Sequence, residues 1–475
     1  MNSLSIINMF AGSFPFAPTD GQRKVIVAMA DFLSSPQPDT VFLLKGYAGT
    51  GKTTLVSTLV KILPRLGMSS VLLAPTGRAA KVFSNYSGQR AFTIHKKIYR
   101  PTVSSEGSVS VSLMPNQHKN TLFIVDEASM IPDVAASPEQ MFSSGRSLLE
   151  DLFYYVFSGE DCHLILVGDS AQLPPVGITL SPALDEQYIN KNFNFNTRSA
   201  HLTEVVRQSL ESGILFNATR IREQIAKGSC QPPFFDLHDH SDVIDLKGSE
   251  LEEVLETLIS RNDSENTVVI TRSNKRANLF NEGIRNRILY REEEIAAGDL
   301  IMAVKNNYFW LPDDAKAGFI ANGDMLEILT VIKRTEIFGF HFAEVRVRML
   351  DYPDEPDLEI LILLDTLRSE SPALSQAENI RFFNEVIADY ADVPDKRHRI
   401  QKVKNNKYYN AVQVKFAWSL TCHKTQGGQW PNVIVDQGYL TDEMVNTEYL
   451  RWLYTAMTRA TGKLYLLNFQ EKFYQ

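Results

Sequence analysis

The chain has few cysteines and no pattern that would pair them. Cys162, Cys230 and Cys422 are odd in number and far apart. That excludes a disulfide framework and a zinc site of the usual paired spacing, and it suits a reducing cytoplasm. No apolar run approaches the roughly 20 residues that cross a bilayer, so no membrane contact is expected. The apolar residues between Met1 and Phe16 lack a basic leading stretch and a cleavage site, and do not read as a secretion signal. Excess basic charge is missing too. Lys and Arg number 48 against 56 Asp and Glu, a net charge of −8, which argues against coating nucleic acid by bulk charge. Local basic clusters remain at Lys96, Lys97 and Arg100, at Lys275 and Arg276, and at Lys402, Lys404 and Lys407. Each alone reads as a solvated face. The rest is ordinary: 44% hydrophobic and 22% charged residues describe a globular protein, and 475 residues are too many for one core.

Gly46-Tyr47-Ala48-Gly49-Thr50-Gly51-Lys52-Thr53 fits the phosphate-loop pattern G-x-x-x-x-G-K-[ST] without deviation. It follows the apolar run Val41-Phe42-Leu43-Leu44 and precedes the helix-like Thr54-Leu55-Val56-Ser57-Thr58-Leu59-Val60. Strand, glycine loop and helix are what a phosphate cradle needs. The glycines let backbone N–H groups converge on phosphate oxygens, Lys52 reaches the outer phosphates, and Thr53 can ligate Mg²⁺. A nucleoside triphosphate is the expected ligand.

Other short apolar runs also end in reactive residues. Val71-Leu72-Leu73 leads to Ala74-Pro75-Thr76-Gly77-Arg78, Leu122-Phe123-Ile124-Val125 to Asp126-Glu127, and Leu164-Ile165-Leu166-Val167 to Gly168-Asp169-Ser170-Ala171-Gln172. Runs that are continuous rather than alternating predict strands covered on both faces, as in a parallel sheet. Open α/β sheets gather their ligand sites beyond the carboxyl ends of the strands. Asp126-Glu127 then forms the expected second half of a hydrolytic site: Asp126 holds Mg²⁺ and Glu127 polarises the attacking water.

A later set predicts a second α/β core: Val268-Val269-Ile270 before Thr271-Arg272-Ser273-Asn274, Val433-Ile434-Val435 before Asp436, and Leu464-Tyr465-Leu466-Leu467. Residues 299–408 interrupt it with alternating β-type stretches and an acidic turn, so a small β-rich insertion is expected. A serine-rich insertion at 100–120 fits a hairpin and an irregular loop equally well.

Gly168-Asp169-Ser170-Ala171-Gln172-Leu173-Pro174-Pro175-Val176-Gly177 resembles motif III of the superfamily 1 helicases, whose glutamine contacts the γ-phosphate. Other motifs follow in order. Thr19-Asp20-Gly21-Gln22 looks like the Q-motif, with Gln22 the adenine reader. Ala74-Pro75-Thr76-Gly77-Arg78-Ala79-Ala80 looks like motif Ia, and Thr93-Ile94-His95-Lys96 like motif Ib. Leu202-Thr203-Glu204-Val205-Val206-Arg207-Gln208 resembles motif IV, Trp418-Ser419-Leu420-Thr421-Cys422-His423-Lys424-Thr425-Gln426-Gly427 motif V, and Tyr454-Thr455-Ala456-Met457-Thr458-Arg459-Ala460 motif VI. The resemblance is closest to the RecD-like and phage Dda-like branch, which moves 5′→3′. It covers nearly the whole chain apart from the two insertions.

The resemblance implies two RecA-like α/β domains, the first over 1–200 and the second over 201–298 and 409–475. The insertions would be a strand-separating hairpin (100–120) and a small SH3-like barrel (299–408). It implies ATP and Mg²⁺, with Gln22, Gly46, Gly49, Thr50, Gly51, Lys52, Thr53 and Thr54 around the nucleotide. Catalysis would fall to Lys52, Asp126, Glu127, Gln172, Arg207 and Arg459. Both arginines are expected on the second domain, reaching ATP only as the cleft closes. Pro75, Thr76, Thr93, His95, Ser273, Asn274, Thr421 and His423 would grip single-stranded DNA, although His95 and His423 also fit as core histidines. Single-stranded DNA and forked or tailed duplexes are the implied partners of a cytoplasmic monomer. An RNA helicase of the same superfamily is the nearest alternative, because phosphate contacts do not read the sugar directly. A nucleic-acid-dependent ATPase that does not translocate is another.

Overall fold

The continuous apolar runs become strands covered on both faces. The computed structural model describes residues 2–35, 37–103, 109–134, 146–206, 212–238, 240–259, 264–311, 315, 318–353 and 355–474. Helices α1 (Ser3–Ser13) and α2 (Asp20–Ser34) precede β1 (Thr40–Gly46), and α3 (Lys52–Ile62) follows it. Next come β2 (Ser69–Ala74), α4 (Gly77–Ser87), β3 (Ala91–Thr93), the short α5 (Ile94–Ile98), and a hairpin of β4 (Tyr99–Val103) and β5 (Val109–Leu113). β6 (Lys119–Val125), α6 (Leu148–Phe157), β7 (Glu160–Gly168), α7 (Glu186–Phe193) and β8 (Asn196–Leu202) complete the first core.

Its 6-stranded sheet has the order β3-β2-β6-β7-β1-β8, parallel throughout. Parallel pairing returns each connection over a face of the sheet, so neither face meets water. Successive residues therefore enter different clusters. Phe42, Leu72, Ile124 and Ile165 pack on one side, and Leu43, Leu73, Phe123 and Leu166 on the other. The 100–120 insertion resolves in favour of a hairpin, paired from Tyr99↔Leu113 to Val103↔Val109. Tyr99 anchors its base by donating to Asp151 Oδ2 at 2.7 Å.

The second core begins with α8 (Gly213–Lys227), β9 (Val243–Leu246), α9 (Leu251–Leu258), β10 (Thr267–Thr271) and α10 (Asn274–Gly283). The chain then builds a closed barrel from β11 (Leu300–Ala303), β12 (Met325–Ile337), β13 (Phe340–Met349), β14 (Leu358–Leu363) and β15 (Val412–Phe416). On β13 Ala343, Val345 and Val347 point into the barrel, Arg346 and Arg348 face solvent, and Phe340 and Phe342 are buried on the outer face. Two features depart from the β-rich insertion expected at 299–408. Helices α11 (Gln376–Ala388) and α12 (Lys396–Lys404) pack Phe382, Val386 and Val403 onto Phe340 and Phe342. The closing strand β15 lies beyond residue 408, because closure needs one strand that pairs with both β11 and β14. The second core resumes with β16 (Ser419–Thr421), α13 (Cys422–Thr425), β17 (Trp430–Asp436), α14 (Thr447–Met457) and β18 (Ala460–Leu467). Its 5-stranded sheet, ordered β16-β10-β17-β18-β9, is also parallel throughout. Among the described residues no helix is long and apolar enough to cross a membrane.

A buried charge knot ties the second core to the barrel. Asp299, fully buried just before β11, pairs with Arg285 Nη2 at 3.1 Å and Arg291 Nη1 at 2.6 Å, and accepts from Ala296 N at 2.8 Å. Arg285 is only 2% exposed, so loss of its partner would leave a buried charge uncompensated. Asp299→Ala is expected to lower the unfolding free energy by about 3–5 kcal/mol. Urea unfolding of the full chain checks this, and a loss below about 1 kcal/mol would count against the knot.

Candidate active site

Strands β6, β7 and β1 are consecutive in the first sheet. Their carboxyl ends therefore set Asp126-Glu127, the Asp169–Gln172 loop and the phosphate loop side by side. The phosphate loop leaves β1 at Gly46 and enters α3 at Lys52, with Gly49 and Gly51 left-handed at φ 72° and 86°. Gly51 is the N-cap of α3, and a Cβ there would run into the Gln22 amide. Lys52, Thr53 and Thr54 form the first turn, whose N–H groups have no carbonyl partner within the helix. Lys52 Nζ donates to the carbonyls of Gly46 at 2.6 Å and Tyr47 at 2.9 Å.

Gln22 is buried, and its amide is engaged at both ends. Oε1 accepts from Thr19 N at 3.0 Å in the capping box that starts α2, and Nε2 donates to the Thr50 carbonyl at 3.2 Å. Gln22, expected beside the adenine, thus braces the phosphate loop.

Asp126 Oδ2 accepts from Tyr86 OH at 2.6 Å, and Oδ1 accepts from Glu127 N at 2.9 Å. Glu127 turns back through a left-handed φ of 53° and brings Oε1 to 3.9 Å from Arg459 Nη1. Burial pushes both carboxyls above the ordinary range. The Arg459 guanidinium pulls Glu127 back, and the Lys52 ammonium draws on both. Burial and Asp126 together hold the Tyr86 phenol protonated, as a donor. Asp126 and Thr53 offer the hard oxygens that Mg²⁺ takes. Among the described residues no group of three or more His, Cys, Asp and Glu could hold a metal. These two oxygens fit an ion that keeps water and phosphate as its other ligands.

Arg459 lies on the second core and is already seated against the first. It is 4% exposed, donates to the carbonyls of Thr455 at 3.1 Å and Gly428 at 3.3 Å, and already faces Glu127. The reason is α14, which grips the loop after β7. Arg451 donates to the carbonyls of Ser170 and Gln172, Thr455 Oγ1 accepts from Leu173 N at 2.8 Å, and Tyr454 OH donates to Asp169 Oδ2 at 2.6 Å. From α13's side, Gln426 Nε2 donates to the Leu173 carbonyl at 2.7 Å. Gln172 itself is buried, and its Oε1 has no hydrogen-bond partner among the described residues. Tyr86, Arg451, Tyr454 and Thr455 were not foreseen as site residues. Three of them lie in or beside the motif VI stretch, but a hydroxyl that acts through a neighbouring loop leaves no local signal.

Arg207 lies outside the described residues. The residues before it move the expected domain boundary at 200, for Leu202 to Val206 lie on the first core. Leu202 ends β8, Glu204 accepts from Gly21 N at 3.1 Å, and Val206 N donates to the Gly49 carbonyl at 3.0 Å. Pairing of β8 with β1 continues to the phosphate loop and carries the segment along it.

The residues expected to grip a strand collect at a different edge. Pro75 and Thr76 follow β2, Thr93 ends β3 with His95 just beyond it, Ser273 and Asn274 follow β10, and Thr421 ends β16 with His423 just beyond it. β3-β2 is one edge of the first sheet, and β16-β10 is one edge of the second. Thr76, Thr93 and Ser273 cap α4, α5 and α10 through their side chains, while Thr421 takes the N-cap position of α13 without such a bond. Burial lowers His423 and holds His95 down at about 4, so both imidazoles are neutral near pH 7. The two edges touch: the Arg78 guanidinium lies 3.9 Å from the Trp430 ring centroid, and Gly427 backs onto Ala79. From the barrel, the fully buried Asp324 packs its Oδ1 against Gly77 at the start of α4.

Comparison with known proteins agrees with this arrangement. A family model described as an AAA domain matches residues 18–244, and one described as a UvrD-like helicase C-terminal domain matches 416–467. The ATP-dependent RecD2 DNA helicase of Deinococcus radiodurans is 31% identical over 160 residues, covering 34% of this chain and 19% of the relative. The ATP-dependent DNA helicase dda of Enterobacteria phage T4 is 29% identical over 208 residues, covering 43% and 42%. The chain thus spans less than half the length of either relative. A solved structure of two coordinating Pif1 helicases at forked double-stranded DNA has the same fold. It shows a TM-score of 0.50 at 15% identity, with 97% of this chain and 94% of that chain covered. With the phosphate loop, the acidic pair and the glutamine loop on one RecA-like sheet facing Arg459 on another, the chain belongs to the superfamily 1 helicases, in their RecD-like and Dda-like branch.

Proposed function

We propose that the chain is an ATP-dependent DNA helicase that steps 5′→3′ along single-stranded DNA and parts the duplex ahead of it. One observation carries the reading: Arg459 of the second core stands 3.9 Å from Glu127 of the first. The hydrolytic groups are thus divided between two bodies, and any change at the phosphates bears on the separation of the cores. The relatives named as DNA helicases support DNA as the substrate, and the direction follows their branch.

In this cycle Lys52 and the N–H groups of the loop hold the phosphates, with Thr53 and Asp126 holding Mg²⁺. The ion would neutralise charge on the phosphate oxygens. Glu127 orients and polarises the attacking water. It can do so only as carboxylate, which the flanking Lys52 and Arg459 favour against burial. Gln172 has an amide free to take a hydrogen bond from that water or, rotated, to give one to the γ-phosphate. Arg459, together with Arg207, meets the charge that develops in phosphoryl transfer. The eight strand-side residues grip the DNA backbone by phosphate contacts rather than base reading. Both halves of the site come from one chain, so a monomer suffices.

Lys52→Ala should abolish ATP hydrolysis in a folded protein. Glu127→Gln should keep ADP binding and lose about 10²-fold or more in turnover. DNA-stimulated ATPase in a folded Lys52→Ala protein would sink the proposal. Matched duplexes with a 5′ or a 3′ single-stranded tail test polarity: only the 5′-tailed substrate should unwind. Stimulation by poly-U equal to that by poly-dT would favour an RNA helicase instead. Replacing residues 103–115 with a short Gly/Ser linker should preserve DNA-stimulated ATPase and abolish unwinding. Unwinding at the parental rate would reduce the hairpin to a surface loop.

A further inference from the structure

The second core sends one hydroxyl between two loops of the first. Tyr454 lies in α14, with its ring buried at 1% exposure. Its oxygen accepts from Ala48 N, in the middle of the phosphate loop, at 2.9 Å, and its O–H donates to Asp169 Oδ2 at 2.6 Å. The other oxygen of Asp169 accepts from Ala171 N at 2.8 Å and so braces the turn that carries Gln172. β1 and β7 are paired neighbours, so their two loops start side by side. A tyrosine from the opposite core joins them without touching the acidic pair.

The rest of α14 fits a coupling role. One turn before Tyr454, Arg451 holds the carbonyls on either side of Ala171. Just past the helix end, Arg459 faces Glu127. Because α14 is rigid over this distance, whatever fixes Tyr454 also fixes the approach of Arg459.

We infer that Tyr454 is a positioning residue, whose hydroxyl registers the phosphate loop against the Gln172 loop and thereby sets Arg459 on Glu127 for turnover. The inference rests on the ATPase reading above and adds to it the element that links nucleotide site to arginine. Tyr454 does not itself meet the reacting atoms. Its loss should therefore act on turnover and leave ground-state nucleotide affinity in place.

Tyr454→Phe keeps the ring and removes both hydrogen bonds. ADP affinity and the KM for ATP should stay within about twofold of the parent, while kcat at saturating poly-dT falls about tenfold, as loss of a charge-assisted hydrogen bond would give. Asp169→Asn removes the same link from the other side. It should reproduce the effect, and the double variant should fall no further than either single one. If Tyr454→Phe fails to fold, Asp169→Asn, which leaves the ring in place, decides alone. A folded variant with kcat within about twofold of the parent overturns the inference. So do additive losses in the double variant, or a loss of ADP affinity as large as the loss of kcat. A parent protein without poly-dT-stimulated ATPase would instead remove the ATPase reading, and the inference with it.

Discussion

A phosphate loop exposes carbonyl oxygens as well as N–H groups, and a buried backbone group without a partner costs about 1–3 kcal/mol. Much of this molecule is arranged around that requirement. The Gly46 and Tyr47 carbonyls take Lys52, the Gly49 carbonyl takes Val206 N, and the Thr50 carbonyl takes Gln22. Tyr47 N reaches the Leu202 carbonyl, and Ala48 N reaches Tyr454. These partners come from α2, from the end of β8 and from α14 of the other core. Satisfying one loop thus draws in three distant stretches of sequence.

The contact between the cores has two different characters. On the nucleotide side it is polar and buried, with hydroxyl, carboxylate and guanidinium groups each matched to a backbone or side-chain partner. Such a seam is strong only while every group is paired, which makes it sensitive to small displacements. On the strand side the contact is an arginine over an indole and a glycine against an alanine. Arg78 Nη2 also donates to the Gln429 carbonyl at 3.3 Å, so this side carries a directional contact as well.

The parts of this architecture that are local were legible in the sequence. The apolar run before the phosphate loop, and the runs before Asp126 and Gln172, report their own burial, and the loop residues follow them directly. Two parallel sheets could be read for that reason, whereas residues 100–120 fitted a hairpin or a loop and the barrel was implied only by the family resemblance. The roles of Tyr454 and Tyr86 could not, since each phenol acts on a group more than one strand away. The setting of Leu202 to Val206 was misread because its motif likeness says nothing of which sheet β8 joins. The barrel overran its expected end because β15 resembles any other alternating strand until its two pairing partners are known.

Gly427 has a further mechanical meaning. It is left-handed at φ 73°, and a Cβ there would stand 2.6 Å from the Ala79 Cβ. Atoms in contact resist approach far more steeply than they resist separation. Along the line through Gly427 and Ala79 the two cores are therefore at the near end of their travel. Motion along that line starting from this arrangement can only be a widening, and the glycine sets how short the shortest position is. A side chain at this position would meet Ala79 before the two cores could come this close, so a single missing methyl group sets how tightly they can seat here.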